Sequence, residues 1–497
     1  MKNLPTRFLL SAGPHPLGVQ PLGNALISSS KTESHPICEL SGWFSVLPDE
    51  IVLKILGELD ADSLVQIGQT CKAFNIWTRH DEFWKHHVIS EINGKFQWHG
   101  RTWLETYQHH RRQCRQKDNE KDENWQDKDN HLAFSAVLFS DLLYESWVYA
   151  SMRMRPEWLR RDNIDRRSQL ALEAFRRDYD EPLKPVLIND VATSWPALER
   201  WTPDYLMEAS GDFVYRAEAM DITMRNYFAY ARSITEESPL YLFDKQFHMA
   251  SPSFLEEFHV PEYFQQDYFQ LLESDGGARP DYRWLIIGPE KSGSSFHKDP
   301  NGTSAWNATI RGRKKWIFLP PHHTPPGVCP SADGSEVATP SSLMTWFVHY
   351  YHLLPPNETV ECIAQPGDVV FVPSGWWHTV VNLEPDTIAV TQNFVSKSNL
   401  LQVLDFLHKK KDQISGVPCD QAASLGDRLE QAVRKTYPGL IEELKAARGD
   451  KKRSSVSLSS GNDQGMNKRK PFWSELVGSN KDQNTSSAPF SFDFAGR

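Results

Sequence analysis

The apolar positions take on helical spacing from Leu47 onward. Pro48, Asp49 and Glu50 come next; proline suits a first helical turn and acidic groups suit its positive end. Ile51, Val52, Ile55, Leu56 and Leu59 then line one face. After Asp60-Ala61-Asp62, Leu64, Ile67, Cys71 and Phe74 recur three or four apart, and a third helix is expected to carry Phe83 and Trp84. A helical unit of roughly 45 residues buries little by itself, so it is expected to lean on a partner or on its own downstream chain. Residues 111–131 are a mixed charge run, read as a solvated helix or linker. Residues 133–180 have amphipathic helical texture and end in ALEAFRRDYDEP.

The texture changes at PVLIND, which begins at Pro185. Between Trp284 and Phe394 short apolar strands follow one another: RWLIIG, TSAWNATI, KKWIFLP, DVVFVP and TIAVTQNFV, separated by Pro- and Gly-containing turns. That pattern predicts a sandwich or barrel. LLQVLDFLHKK, DRLEQAVRKTY and LIEELKAAR return to helix. The fold class is therefore α+β. The expected organisation is a disordered lead-in (1–41), a helical unit with its adjoining segment (42–116), a charged linker with helices (117–180), a strand-rich domain (181–400), C-terminal helices (401–447) and a disordered tail (448–497).

Composition narrows the function classes. The 497 residues are 39% hydrophobic and 24% charged, as in ordinary soluble chains, and the 17 Trp point to a well-packed core or a stacking-rich pocket. The net charge of −10 excludes a generally basic coat, so strong nucleic-acid binding is not expected. No run of about 18 apolar residues exists to span a membrane. The opening residues, broken by Pro and Gly, make a poor signal peptide. Six cysteines lie far apart without a CxxC pair, which suits reduced thiols in nucleus or cytoplasm. KKRSS and KRK near the C-terminus are weak hints of nuclear import.

The chemistry starts from SSFHKDPNGTSAWN. His297 and Asp299 are two apart, and on extended chain i and i+2 share a face. A second histidine, His378, follows the turn in GDVVFVPSGWWHTVVN. Two imidazoles and one carboxylate on one side of an ion form the facial triad of non-haem Fe(II) oxygenases, with three positions left open. The lack of nearby thiolates argues against structural zinc. A 2-oxo acid can chelate at two of the open positions, and its distal carboxylate then needs a cation and hydroxyls. Lys314 is placed for that role, with Trp316 and Phe318 on its face and Lys315 expected to turn to solvent. Thr391 shares a face with Asn393, and Asn307 follows the metal-ligand segment.

HKDPNGTSAWN, RGRKKWIFLPP, GDVVFVPSGWWHTVVNLEPDTIAVTQNF and, upstream, YFAYARSITEESPLYLFDKQF resemble the JmjC family of Fe(II)/2-oxoglutarate oxygenases over about 181–400, and within it the branch of lysyl hydroxylases and arginine demethylases. The resemblance implies a double-stranded β-helix, a cupin-like jelly roll. It implies His297, Asp299 and His378 as iron ligands, Lys314 and Thr391 at the distal carboxylate of 2-oxoglutarate, and Asn307, Ser294 and Tyr227 in the cosubstrate pocket. Ser294 stands where the relatives have Thr, so the hydroxyl is kept; Trp284 is expected at the pocket entrance. Residues 42–88 resemble an F-box, which implies a Skp-type adaptor of a cullin ubiquitin ligase as partner; the alternative is a helical cap on the catalytic domain.

The expected activity is hydroxylation of a protein side chain, with lysine first. If the carbon attacked is an N-methyl group, the outcome is histone arginine or lysine demethylation. A third reading is a ligase substrate-recognition subunit with a non-catalytic barrel. Histones and splicing factors are the substrates considered, and the C-terminal helices either cap the barrel or pack a homodimer.

Overall fold

The computed structural model describes residues 15–21, 23, 35–36, 44, 47–118, 138–273 and 279–448. Most of the expectations for the lead-in, the charge run and the tail fall outside these residues, as does Cys38. The five described cysteines are unpaired.

Five helices open the described chain: α1 (Asp49–Gly57), α2 (Ala61–Gly68), α3 (Lys72–Trp77), α4 (Asp81–Ile92) and α5 (Trp103–Asp118). Asp60 caps α2 by accepting the Ser63 N–H at 2.8 Å. The apolar stripe of α1 is divided. Val52 and Leu56 are buried, while Ile51 and Ile55 are 41% and 39% exposed. The unit does lean on the downstream chain, because its buried Leu64, Trp77 and Trp84 belong to the same continuous core as strand-domain residues such as Ile287, Trp306 and Phe371.

Strands of three or more residues are β1 (Asp165–Arg167), β2 (Val186–Ile188), β3 (Val214–Ala217), β4 (Met220–Thr223), β5 (Leu242–Asp244), β6 (Arg283–Gly288), β7 (Gly293–His297), β8 (Ser304–Arg311), β9 (Lys314–Leu319), β10 (Val360–Ala364), β11 (Val369–Val372), β12 (Trp377–Asn382) and β13 (Thr387–Phe394). They form a nine-stranded sheet in the order β1-β2-β11-β8-β13-β6-β5-β3-β4 and a four-stranded sheet in the order β7-β12-β9-β10. Antiparallel partners put their side chains on the same face of a sheet, so register decides what faces the barrel interior. Asn307 pairs with Thr391, and Thr391 with Trp284. On the smaller sheet, His297 and Phe318 both pair with His378, Ser294 and Trp316 with Val380, and Lys314 with Asn382. The opposite face of β8, with Trp306, Ala308 and Ile310, packs into the main core. Tyr268, Phe269 and Val395 join the C-terminal α8 (Leu400–Lys409) and α9 (Leu425–Thr436), numbered after α6 (Asp141–Ser151) and α7 (Met224–Ser233), in a second core at one end of the barrel.

Two expectations need correction. Lys315 does not turn to solvent; it is fully buried in a 2.8 Å ion pair with Glu361. Its face of the small sheet is covered by the segment around Arg161, whose carbonyl accepts from the same ammonium at 2.7 Å. The described part of 133–180, from residue 138 on, is not continuous helix either. After α6 it gives a single turn, Pro156–Leu159, then β1, and then a helical stretch in which Leu172–Phe175 runs on into a π-helical turn at Arg176–Asp180, as the end of that segment was expected to do. Pro156, fixed at its φ, suits a first helical turn and cannot continue a preceding helix.

Candidate active site

His297 ends β7 and His378 sits near the start of β12, so the cross-strand pairing brings their rings to 4.2 Å between centroids. The strand ladder stops at His297, yet Asp299 keeps an extended backbone (φ −60°, ψ 144°), and the i, i+2 relation survives. The ligand atoms of His297, Asp299 and His378 lie within 4.8 Å of one another. His297 Nδ1 lies 2.7 Å from the Ser295 carbonyl and His378 Nδ1 3.2 Å from the Trp376 carbonyl. A carbonyl only accepts, so in each ring Nδ1 carries the proton and Nε2 keeps its lone pair for the site. His378 Nε2 lies 3.9 Å from Asp299 Oδ1.

Burial sets the electrostatics. It pushes both histidines down to about 4, so both are neutral at physiological pH. It also pushes Asp299 up to about 6, and Asp299 Oδ2 is buried without a hydrogen-bond partner among the described residues. A carboxylate with an open oxygen beside two neutral imidazole lone pairs is a donor set for a divalent cation. Trp316 and Phe318, stacked 5.6 Å apart, form an aromatic wall beside His378.

Lys314 is 1% exposed, and its Nζ donates to the Tyr241 hydroxyl at 2.9 Å. No ion pair to it occurs among the described residues, and burial alone pulls its pKa from 10.5 down to about 7. A buried cation with only a neutral partner is poised for an anion. Thr391 lies on the facing sheet; its hydroxyl donates to the Trp306 carbonyl at 2.9 Å. Asn307 Oδ1 is buried without a hydrogen-bond partner. Ser294 lies on β7, and Trp284 is 4% exposed beside Phe243, with ring centroids 5.2 Å apart.

Tyr227 does not reach this pocket. It sits on α7 and its hydroxyl donates to the carbonyls of Leu240 and Ile287 at 2.9 and 2.7 Å. The tyrosine whose hydroxyl meets Lys314 is Tyr241, which the sequence reading missed. YFAYARSITEESPLYLFDKQF holds three tyrosines, and only Tyr241 directly precedes a strand, β5, of the barrel sheet. Strand texture in PLYLFD was the signal that could have separated it from Tyr227 and Tyr230, which lie on a helix.

Residues 171–399 match the cupin-like domain family, and residues 44–90 match the F-box-like family. The arginine-specific demethylase JMJ22 of Arabidopsis thaliana is 42% identical over 443 residues, 88% of this chain and 84% of that protein. The chain belongs to the JmjC oxygenases. The bifunctional arginine demethylase and lysyl-hydroxylase psr-1 of Caenorhabditis elegans is 36% identical over 256 residues, 48% of this chain and 63% of that protein. The human 2-oxoglutarate and iron-dependent oxygenase JMJD4 is 30% identical over 273 residues, 48% of this chain and 62% of that protein. This JmjC protein is an enzyme, an oxygenase dependent on iron and 2-oxoglutarate, and its His-Asp-His group and unpaired buried lysine suit both. Among the described residues, no helix is long and apolar enough to cross a membrane.

Proposed function

We propose that His297, Asp299 and His378 hold Fe(II), and that Lys314, assisted by Tyr241 and Thr391, binds the distal carboxylate of 2-oxoglutarate. Asn307 and Ser294 complete the cosubstrate pocket in this reading. When bound, iron and 2-oxoglutarate supply the oxidation, in which dioxygen and the keto acid give succinate, carbon dioxide and one oxygen atom for a substrate C–H bond. The protein contributes orientation and exclusion of water. The Ser295 and Trp376 carbonyls fix the two imidazoles with Nε2 facing inward. Lys314 supplies the one positive charge a dianionic acid needs, and Trp316, Phe318 and Trp284 keep water from that end.

The substrate we propose is an N-methylated arginine of a protein. Hydroxylation of the N-methyl carbon gives a hydroxymethyl amine, which breaks its C–N bond to release formaldehyde and return N–H. The observation that carries this choice is the likeness to an arginine-specific demethylase along 88% of the chain. It moves lysine hydroxylation, the first expectation, to second place, where the doubly named psr-1 keeps it. A histone substrate, and with it a nuclear location, goes with this reading. The F-box-like unit is proposed to bind a Skp-type adaptor through α1, where Ile51 and Ile55 are exposed.

The test is turnover by protein loaded anaerobically with Fe(II), on methylarginine and on plain lysine peptides, beside a His378→Ala control. Formaldehyde with loss of one methyl unit supports the proposal. Gain of one oxygen on lysine without formaldehyde replaces it with hydroxylation. Succinate that forms equally well in the control refutes the assigned site.

A further inference from the structure

The backbone that carries Tyr241 is held at three points. The Leu240 N–H donates to the Tyr230 hydroxyl at 2.7 Å, the Leu240 carbonyl accepts from Tyr227 at 2.9 Å, and the Tyr241 N–H donates to Glu218 at 3.2 Å. Tyr227 and Tyr230 are three apart on α7 and so share one helix face. This is the structural role of the tyrosine that the cosubstrate pocket does not use.

The Tyr230 hydroxyl in turn donates to Glu236. That carboxylate is 7% exposed, and its other oxygen belongs to the N-terminal helices: Trp103 Nε1 of α5 donates to it at 3.1 Å and Lys85 Nζ of α4 stands 3.5 Å away. Lys85 is itself 3% exposed and also donates to the Ser238 carbonyl at 3.2 Å. The face of α7 that carries Tyr230 is tied to the same unit by further bonds. Asn226 accepts from the Trp98 N–H and donates to the Phe96 carbonyl, and the Trp98 indole donates to Ser233 at 2.7 Å. A continuous buried chain therefore runs from Lys85 through Glu236, Tyr230 and Leu240 to Tyr241, whose hydroxyl meets Lys314 at 2.9 Å.

We infer that Lys85 of the F-box-like unit, with Trp103 beside it, is a positioning residue for Tyr241 and hence for cosubstrate binding. The unit is then a working wall of the oxygenase and not only a docking module. A charge pair buried this deeply has few alternative partners, so breaking it moves its neighbours instead of exposing them to water. The inference rests on the proposed role of Lys314.

The experiment measures 2-oxoglutarate binding by calorimetry on Mn(II)-loaded protein, and KM against kcat on the Fe(II) enzyme. Tyr230→Phe keeps the ring and removes only the hydroxyl that joins Glu236 to Leu240. It is expected to weaken 2-oxoglutarate roughly three- to tenfold, the worth of one neutral hydrogen bond, with kcat nearly unchanged. Lys85→Met is expected to weaken it in the same direction. In a Tyr241→Phe background, Tyr230→Phe is expected to add nothing, because the chain already ends there. Unchanged affinity in Tyr230→Phe while Lys314→Met loses binding overturns the positioning role alone. Full additivity with Tyr241→Phe also overturns it. Unchanged affinity in Lys314→Met overturns both this inference and the cosubstrate site beneath it.

Discussion

Lys314 offers the sharpest test of the pocket, because it predicts that one substitution stabilises the protein and disables it together. Its ammonium is 1% exposed and meets only a tyrosine hydroxyl and aromatic faces, with Nζ 5.6 Å from the Tyr241 ring centre and 5.8 Å from that of Trp316. A pKa brought from 10.5 to about 7 corresponds to about 5 kcal/mol at 1.4 kcal/mol per unit, the upper bound on holding this charge without ligand. The folded value lies below the unfolded one. Below pH 7 both states carry the proton and the full cost is present. As pH rises from 7 toward 10.5 the folded protein sheds the proton first, and stability rises. Lys314→Met keeps the length and removes the charge, so ligand-free protein is expected to gain about 2–4 kcal/mol at pH 6, a gain that fades toward pH 10. The parent should gain about 2.7 kcal/mol from 2-oxoglutarate at a hundred times its Kd, and the variant almost nothing. Thermal and urea unfolding of Mn(II)-loaded parent and variant, at pH 6 and 9 with and without 2-oxoglutarate, reads all four quantities. Calorimetry should also find proton uptake on binding at pH 8 and little at pH 6. A variant less stable than the parent at pH 6, or one that still binds 2-oxoglutarate as the parent does, refutes the reasoning.

Three further outcomes are expected. His297→Ala should abolish turnover and lower Mn(II) affinity by at least about tenfold, the scale of losing one donor or its support; turnover retained by the variant would remove the triad from the mechanism. Glu361→Gln should leave the fully buried Lys315 without its 2.8 Å partner and cost about 3–5 kcal/mol in urea unfolding, much of it regained when Lys315→Met is added. Ile51→Asp with Ile55→Asp, on the exposed side of α1, should cost under about 1 kcal/mol of stability. The pair should abolish pull-down of a Skp-type adaptor and leave KM for 2-oxoglutarate unchanged.

The part of this protein that could be read from its sequence is the part dictated by local rules. Alternation along β9 put Lys314, Trp316 and Phe318 on one face, and the register of β9 with β12 places that face against His378. Spacing of two brought His297 and Asp299 together even though the strand stops between them. The misread residues depend on what lies across space. Alternation sends Lys315 to the other face of β9 as expected, but whether that face is wet depends on Arg161 and Glu361, which are distant in sequence. Tyr227 and Tyr241 have equal claims as residue types, and only helix against strand separates them.

The helical unit shows the same limit at the level of domains. Its periodicity predicted an apolar stripe, and the small size required that something cover it. The unit shares one core with the oxygenase, and Trp98 and Trp103 join the two, their rings meeting Tyr230 at 5.0 and 5.2 Å. The two readings weighed for this segment, an adaptor-binding F-box and a cap on the catalytic domain, are therefore not exclusive. α1 turns Ile51 and Ile55 outward, while α4 and α5 reach inward with Lys85 and Trp103. A helical unit that carries the proposed docking face on one side and a charge buried against the oxygenase on the other cannot be removed as a module. Deletion of residues 44–90 is thus expected to leave an insoluble or 2-oxoglutarate-blind barrel, whereas the α1 surface substitutions separate docking from catalysis. Recovery of a soluble, fully active fragment from that deletion would show that the shared core is dispensable and would return the unit to the status of an appendage.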